Sequence, residues 1–518
     1  MNIGFIPTKT ARLEPAREAL IDVHSGRRLT FGQLEENVCR LANALVDQLG
    51  MSKGERVAVL SKNSIEYMEI YYACARVGMI TQPINWRLGH DEMVRILEDG
   101  SPSVLIYSAE YREQVEQLKT SVDISHWLSF GDDSDGTYRS LLKTSSVNEP
   151  AASADVGGDD PLLILYTGGT TGQSKGALHT HRSFYMGMIN QTVAERVVPS
   201  DVYMLTGQMF HIPVALGMNY HAHGCPMVLI NFDARLALET IHKERVSAFL
   251  GITTMLNWMM ADENFAEFDL SSLRNIQYGG GPMPGSVVAA ALDSFPCTII
   301  QGYGQTEGMT MSFLSQEDHL RALNGDHPER LDSCGREGFV TEMRVVDSHG
   351  NLVPRDSKTP GEIIVRSEAN MVGYWQRPDL TAETIRDGWM WTGDIAVWDE
   401  AGYVFIVDRA KDMIISGGEN IFCTQVEAAI HQHPGVLESA VFGIPDDQWG
   451  EAVKAVVVMK PGQLATEREI IDIAAKHLAS YQKPKSVDFV ESLPKAPTGK
   501  ILKRELRTPY WEAARKNV

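Results

Sequence analysis

Apolar and polar positions follow two periods in the first hundred residues. Short apolar runs, Arg56-Val57-Ala58-Val59-Leu60 and Val104 to Tyr107, read as buried strands. Around them the spacing is helical. Thr30-Phe31-Gly32-Gln33-Leu34 predicts a helix running through Leu49, with Thr30 as N-cap and Gln33 at the reciprocal capping-box position. A second helix is expected to end at Ala75. This αβαβ rhythm predicts a layered α/β domain. The small, acidic stretch from Ser145 to Asp160 reads as a loop leading into another short buried strand, Leu162 to Leu165. From Ser183 the pattern is helical and then mixed. Beyond Gly361 it becomes glycine-punctuated and strand-like, and after Arg409 it predicts a compact α+β segment. No internal repeat or low-complexity tract interrupts this order.

Composition narrows the picture. A chain of 518 residues exceeds one ordinary core and suggests about three domain-sized units. No run approaches the roughly 18 apolar residues of a membrane span, and Met1 to Leu20 lacks a basic-then-apolar export pattern, so a cytoplasmic location is expected. The six cysteines (Cys39, Cys74, Cys225, Cys297, Cys334 and Cys423) are scattered, with no pair at metal spacing, and read as buried thiols. A net charge of −20 argues against nucleic acid as a partner. The charge is uneven: from Arg409 onward 15 Lys+Arg face 14 Asp+Glu, leaving −21 on the preceding residues. Ten of the 22 methionines fall between Met204 and Met311. They serve as core filler or as the walls of a pliable apolar pocket.

The strand at Leu162 to Leu165 runs into Tyr166-Thr167-Gly168-Gly169-Thr170-Thr171-Gly172-Gln173-Ser174-Lys175-Gly176. Bare backbone N–H groups, hydroxyls and one ammonium can wrap a polyphosphate. It is not a Walker A loop, because Ser174 precedes the lysine and Gly176 stands where a metal-binding hydroxyl belongs. A second segment, Gln301-Gly302-Tyr303-Gly304-Gln305-Thr306-Glu307-Gly308, combines an aromatic face between glycines, a hydroxyl and a hard carboxylate. Upstream, Tyr278-Gly279-Gly280-Gly281-Pro282 ends a probable strand at Ile276-Gln277. Phe210-His211-Ile212-Pro213, Trp391-Thr392-Gly393-Asp394, the run from Asp408-Arg409 to Gly417-Gly418-Glu419-Asn420-Ile421, and Pro494 to Arg504 around Lys500 complete the series. Taken alone, each is equally a tight turn, a packed histidine or a solvated charged face.

Together, and in this order from about Leu29 to Arg504, they resemble the acyl-adenylate-forming enzymes, which include acyl-CoA synthetases, peptide-synthetase adenylation domains and beetle luciferases. Gly168 stands where that family has Ser, Ser174 where it has Pro, and Thr424 where relatives often have Pro. The resemblance implies an α/β fold: an N-terminal domain, residues 1–408, with two αβαβα-type subdomains and a small β part, and a mobile α+β lid, residues 409–518.

It also implies roles. Thr167, Gly168, Gly169, Thr170, Thr171, Gly172 and Lys175 would hold the ATP phosphates. Gly280, Gly281 and Pro282 would border both adenine and the acyl group, and Gln301, Gly302, Tyr303 and Gly304 would line adenine, with Tyr303 stacked on it. Thr306 would contact the α-phosphate or the acyl carboxylate, and Glu307 would ligate Mg²⁺. Asp394 would hold the ribose, Arg409 the same ribose or the phosphate, Ile406 would belong to the cofactor site, and His211 would orient the acid's carboxylate or gate its tunnel. Asp408 would be the hinge. Gly417, Gly418, Glu419 and Trp449 would serve the second half-reaction, and Lys500 would neutralise charge during adenylation. Trp449-Gly450-Glu451, after Gly443-Ile444-Pro445-Asp446, tilts the reading toward coenzyme A. The expected reaction is an ATP-, Mg²⁺- and CoA-dependent ligation of a small-molecule carboxylic acid, medium-chain or aryl, by a chain that can form homodimers. A ligase loading a phosphopantetheine carrier, a luciferase-like oxidase and a non-catalytic ATP sensor stay open on these residues.

Overall fold

The computed structural model describes residues 1–131, 136–167, 174–281, 283–417, 419–446, 448–495 and 501–516. The chain divides into two compact units. Residues 1–167, 174–343 and 365–390 make the larger, and residues 168–173, 344–364 and 391–518 the smaller. The chain passes between them within the strands Thr341–Val346, Gly361–Ser367 and Trp389–Trp398.

Among the described residues the larger unit carries two extended sheets. In the seven-stranded sheet the order is Gly373–Tyr374, Lys175–Thr180, Pro161–Thr167, Ile80–Pro83, Arg56–Leu60, Val104–Ser108 and His126–Phe130. Its inner strands are parallel, and Lys175–Thr180 and Gly373–Tyr374 are added antiparallel at one edge. The nine-stranded sheet runs from Arg336–Glu337 through Met309–Leu314, Thr298–Gln305, Asn275–Gly279, Ala248–Leu250, Tyr203–Leu205, Met227–Leu229 and Glu18–Asp22 to Arg28–Thr30. The expected strands at 56–60, 104–107, 162–165 and 276–277 are all present.

The helix opening at Phe31 has the expected reciprocal cap between Thr30 and Gln33, and its regular turns end at Asn43. A wider turn, Ala44–Gln48, then carries the chain to Leu49. The next helix, Ile65–Arg76, is buried on every side, so its sequence shows no polar face. A helix that is apolar all round needs a cover on both sides, and here that cover brings buried charges into play. Glu69 accepts from Asn37 Nδ2 and Tyr138 OH, each at 2.7 Å, and Glu66 pairs with Arg27. Arg76, fully buried, bonds Glu35 at 2.8 and 2.9 Å, Glu149 at 3.0 Å, Thr8 at 2.9 Å and the Gly4 carbonyl at 3.1 Å. One guanidinium thus ties the N-terminal segment to two helices. Eight of the ten methionines between Met204 and Met311 are buried among core side chains, so most act as filler.

The smaller unit holds the strand Val404–Arg409 paired with Trp389–Trp398, and a separate sheet in the order Glu419–Ile421, Ile414–Ser416, Gly450–Met459, Val436–Asp446, with Ser486–Phe489 beside Gly450–Met459. Helices Cys423–Ile430 and Glu467–Ala475 contribute to the core of this sheet through Val426, Ile430, Ile470 and Ala474. This is the α+β segment expected after Arg409.

Removing one partner of a buried ion pair leaves an uncompensated charge, which costs roughly 3–5 kcal/mol. Arg76→Met should therefore lower unfolding free energy by about that amount in urea titrations. Glu149→Gln, at a side chain 44% exposed, should cost far less.

Candidate functional site

The glycine- and threonine-rich loop begins and ends on neighbouring strands. Thr167, last residue of Pro161–Thr167, faces Lys175, first residue of Lys175–Thr180, and its hydroxyl lies 3.5 Å from the Lys175 carbonyl. Gly168, Gly169, Thr170, Thr171 and Gly172 lie outside the described residues, as do Pro282, Gly418 and Lys500. The strand before the loop is anchored by Tyr166, whose hydroxyl donates to Asp99 at 2.6 Å, and Ser174 donates to Glu92 at 2.9 Å.

Beyond Lys175 the edge strand is extended by Gly373–Tyr374, paired opposite Leu178 and Ala177. The Lys175 ammonium sits 5.2 Å from the centre of the Tyr374 ring, and the Tyr374 hydroxyl donates to Glu307 at 2.8 Å. Burial, followed by the neighbouring carboxylate, pushes the Tyr374 phenol above its ordinary pKa, so it stays a neutral donor. The backbone of Glu307 is held by the same strand extension, its carbonyl accepting from Met371 N–H at 2.7 Å. The preceding carbonyl, of Thr306, is held by His179 Nε2 at 2.7 Å. A carbonyl only accepts, so Nε2 carries the proton; Nδ1 lies 3.2 Å from Ser183 Oγ. Thr167, Lys175, Thr306 and Glu307 are therefore brought together. Neither His179 nor Tyr374 was singled out in the sequence; a buried histidine and a two-residue strand carry no pattern of their own.

Most of the 301–308 segment is strand rather than loop. Gln301, Gly302, Tyr303 and Gly304 belong to Thr298–Gln305, with a register shift between Tyr303 and Gly304 against Met309–Leu314. Tyr303 is 8% exposed. The glycines answer to close approach: a Cβ on Gly304 would lie 1.8 Å from the Met309 carbonyl oxygen, and one on Gly279 would lie 2.2 Å from that of Gly302. Gly280, at φ +77°, and Gly281 have open space where a side chain would stand. His211 is half-buried beside Phe210, with ring centres 5.7 Å apart. Burial, then the charge of Arg87, lowers its pKa, so the imidazole is neutral at neutral pH.

In the smaller unit Asp394 is buried and forms an ion pair of 2.5 Å with Arg409, its partner across the two strands. Thr392-Gly393-Asp394 lies inside the strand Trp389–Trp398 rather than in a free turn, with Gly393 at φ +70°. Ile406 is 41% exposed on the neighbouring strand. The Asp408 carboxylate accepts from the N–H of Arg409 at 2.7 Å and from that of Cys423, and burial raises its pKa. Gly417, at φ +61°, is covered by Trp449: a Cβ there would meet the indole at 2.7 Å, and the Gly417 N–H donates to the Trp449 carbonyl at 2.7 Å. Glu419 is exposed. On either side of residues 496–500, Lys495 bridges Ile501, and Leu502 N–H donates to the Pro494 carbonyl at 2.8 Å.

A family model described as AMP-binding enzyme matches residues 8–375, and one described as AMP-binding enzyme C-terminal domain matches residues 425–500. The chain belongs to the AMP-binding enzyme family. A feruloyl-CoA synthase of an Amycolatopsis species is 36% identical over 517 residues, 98% of this chain and 99% of that protein. The long-chain-fatty-acid–CoA ligase FadD13 of Mycobacterium tuberculosis is 35% identical over 520 residues, 98% of each. The structure of a Mycobacterium tuberculosis fatty acyl CoA synthetase superposes with a TM-score of 0.80 at 33% identity, covering 99% of both chains. This AMP-binding enzyme is accordingly of the acyl-CoA synthetase type: an acid–thiol ligase that uses ATP, Mg²⁺ and coenzyme A and proceeds through an acyl-adenylate.

The histidine that holds the Thr306 carbonyl has a pH signature. Burial depresses the pKa of His179 to about 4, and those of His181 and His221 likewise. The unfolded chain binds these protons near pH 6.5 and the folded chain does not, so their contribution is complete above about 6.5 and is lost as pH falls toward 4. Each site is worth on the order of 3 kcal/mol across that window. Burial raises the pKa of Glu69 and Glu195 to about 7, which acts in the opposite sense, so the test is a difference: between pH 6.5 and 4.5 the denaturation midpoint of the unaltered protein should drop more than that of His179→Gln.

Proposed function

We propose that this ligase activates an apolar carboxylic acid, medium-chain or aryl, with Lys175 and Glu307 handling Mg·ATP in the first half-reaction. The observation that carries this reading is the arrangement around Tyr374, with the Lys175 ammonium at its ring and the Glu307 carboxylate on its hydroxyl. A cation for phosphate oxygens and a hard carboxylate for a divalent ion on two sides of one side chain suit a metal-bound polyphosphate. Thr167 opens the loop that would wrap the β- and γ-phosphates, with Gly168 to Gly172 as its N–H lining, and Thr306 offers its hydroxyl to the α-phosphate. Gly280, Gly281, Pro282, Gln301, Gly302, Tyr303 and Gly304 form the adenine border. Asp394, Ile406 and Arg409 serve the ribose, and the Asp394–Arg409 pair holds that carboxylate in place.

The acid's carboxylate attacks the α-phosphorus, displacing pyrophosphate, with Lys500 neutralising the charge that builds between them. Neutral, half-buried His211 orients the acid without neutralising it. The part of the chain from 409 onward then turns about Asp408, bringing Gly417, Gly418, Glu419 and Trp449 to the adenylate. The CoA thiol attacks the acyl carbonyl and AMP leaves. Asp408 suits a pivot because its carboxylate holds the backbone N–H groups of both Arg409 and Cys423. The names of the relatives, one for a feruloyl and one for a long-chain fatty acyl group, support an apolar acyl chain. Six free cysteines fit a reducing, cytoplasmic setting, and the net charge of −20 fits small-molecule rather than nucleic-acid partners; homodimers belong to the same proposal.

Pyrophosphate release from ATP across a panel of acids should depend on aryl or medium-chain acids, with AMP and thioester forming only when CoA is present. Pyrophosphate without thioester would point to a carrier arm or to oxidation, and no release with any acid would contradict the proposal. Lys500→Ala should suppress adenylation by about 10²-fold or more while leaving thioester formation from supplied acyl-adenylate nearly intact. Equal losses in both would contradict the division of labour.

A further inference from the structure

We propose that Tyr374 is a positioning residue for the metal–phosphate site, setting the Glu307 carboxylate and the Lys175 ammonium at a fixed separation through one rigid ring. The inference rests on the metal role proposed above for Glu307. Three observations within the larger unit carry it. The first is the double engagement of the side chain: the hydroxyl donates to Glu307 Oε1 at 2.8 Å, and the ring face lies 5.2 Å from Lys175 Nζ.

The second is how firmly the tyrosine is held. Its strand pairs Gly373 and Tyr374 with Leu178 and Ala177, and the N–H groups of Val372 and Trp375 donate to the Leu178 and Gly176 carbonyls at 3.0 and 2.7 Å. Its own N–H donates to Thr381 Oγ1 at 2.9 Å, and the Trp375 indole donates to the Asp99 carbonyl at 3.2 Å. Gly373, at φ +153°, has Thr381 packed where a Cβ would stand, 2.7 Å away, so this approach admits no larger residue without displacement. The third is that the same short segment grips the Glu307 backbone, through Met371 N–H to the Glu307 carbonyl at 2.7 Å. Backbone and carboxylate of Glu307 are thus fixed from one element, and that element is zipped to the strand that begins with Lys175.

The chemistry follows from what each group offers. A carboxylate has several lone-pair positions, and a phenol that occupies one oxygen leaves the other to face a cation. A neutral donor on a metal-ligating carboxylate fixes its rotamer and tunes its basicity, and loss of such outer partners typically weakens metal use by about 10–100-fold. On the other side, the ring's negative face favours the ammonium at one height above it while leaving its three N–H donors for phosphate oxygens. Tyr374 therefore sets the distance between two charges that must meet the same Mg·ATP, without touching either substrate.

The test compares Tyr374→Phe with the unaltered enzyme by titrating Mg²⁺ at fixed ATP in the pyrophosphate-release assay, alongside thioester formation from supplied acyl-adenylate. Half-saturation by Mg²⁺ does not depend on what fraction of a preparation is folded. The expected result is a rise in that half-saturation of about tenfold, with thioester formation from the adenylate unchanged. An unchanged Mg²⁺ requirement, or an equal loss in both half-reactions, would overturn the proposal. Glu307→Gln separates the two levels of inference. If it shifts the Mg²⁺ requirement and Tyr374→Phe does not, the positioning role alone fails; if it shifts nothing, the metal role of Glu307 fails and the proposal with it. Should Tyr374→Phe be insoluble, Thr381→Val, which withdraws the acceptor of the Tyr374 N–H, is read by the same two outcomes.

Discussion

The antiparallel pairing of Lys175–Thr180 with Pro161–Thr167, at the edge of an otherwise parallel sheet, is the constraint on which the rest of the site depends. It sets Thr167 opposite Lys175, so the two ends of the phosphate loop are fixed by a ladder and not by the loop itself. A loop rich in glycine is costly to order, and the ladder fixes both of its ends. The same strand offers its outer edge to Gly373–Tyr374 and, through His179, holds the Thr306 carbonyl. One strand thereby organises three segments far apart in sequence.

The electrostatics of the larger unit are arranged to keep neutral what must be neutral. Burial leaves His179 and His211 uncharged near neutrality and keeps the Tyr374 phenol protonated, so Lys175 and Glu307 meet two sides of an uncharged side chain. In the smaller unit the buried Asp394 is paired with Arg409. A carboxylate held in this way needs little reorganisation to accept a hydrogen bond, which is the general advantage of preorganised polar groups.

Much of this was legible in the sequence. The Thr30–Gln33 cap, the strands at 56–60 and 104–107 and the α+β tail followed from period and punctuation because those signals are local. The loop between Thr167 and Lys175 and the 301–308 segment stood out through their order along the chain, since each alone reads equally as a tight turn. What escaped was the geometry between them. Tyr374 sits in a two-residue strand with no periodicity, and its value comes from pairing with a strand almost 200 positions earlier. The 301–304 and 392–394 segments read as turns because they contain glycine, yet they are strands in which glycine admits a neighbouring carbonyl or a positive φ. Composition records that a residue is small; it does not record what comes close to it.

The central claim is that the acid is activated by direct attack of its carboxylate on the α-phosphorus, at a site organised by Lys175 and Glu307. Acid labelled with ¹⁸O in its carboxylate, turned over with ATP and CoA, tests this most directly by mass spectrometry of the nucleotide product. The account predicts one labelled oxygen in the phosphate of AMP, left behind when the thiol takes the acyl group. AMP without label, or label appearing in inorganic phosphate alongside ADP, would contradict it.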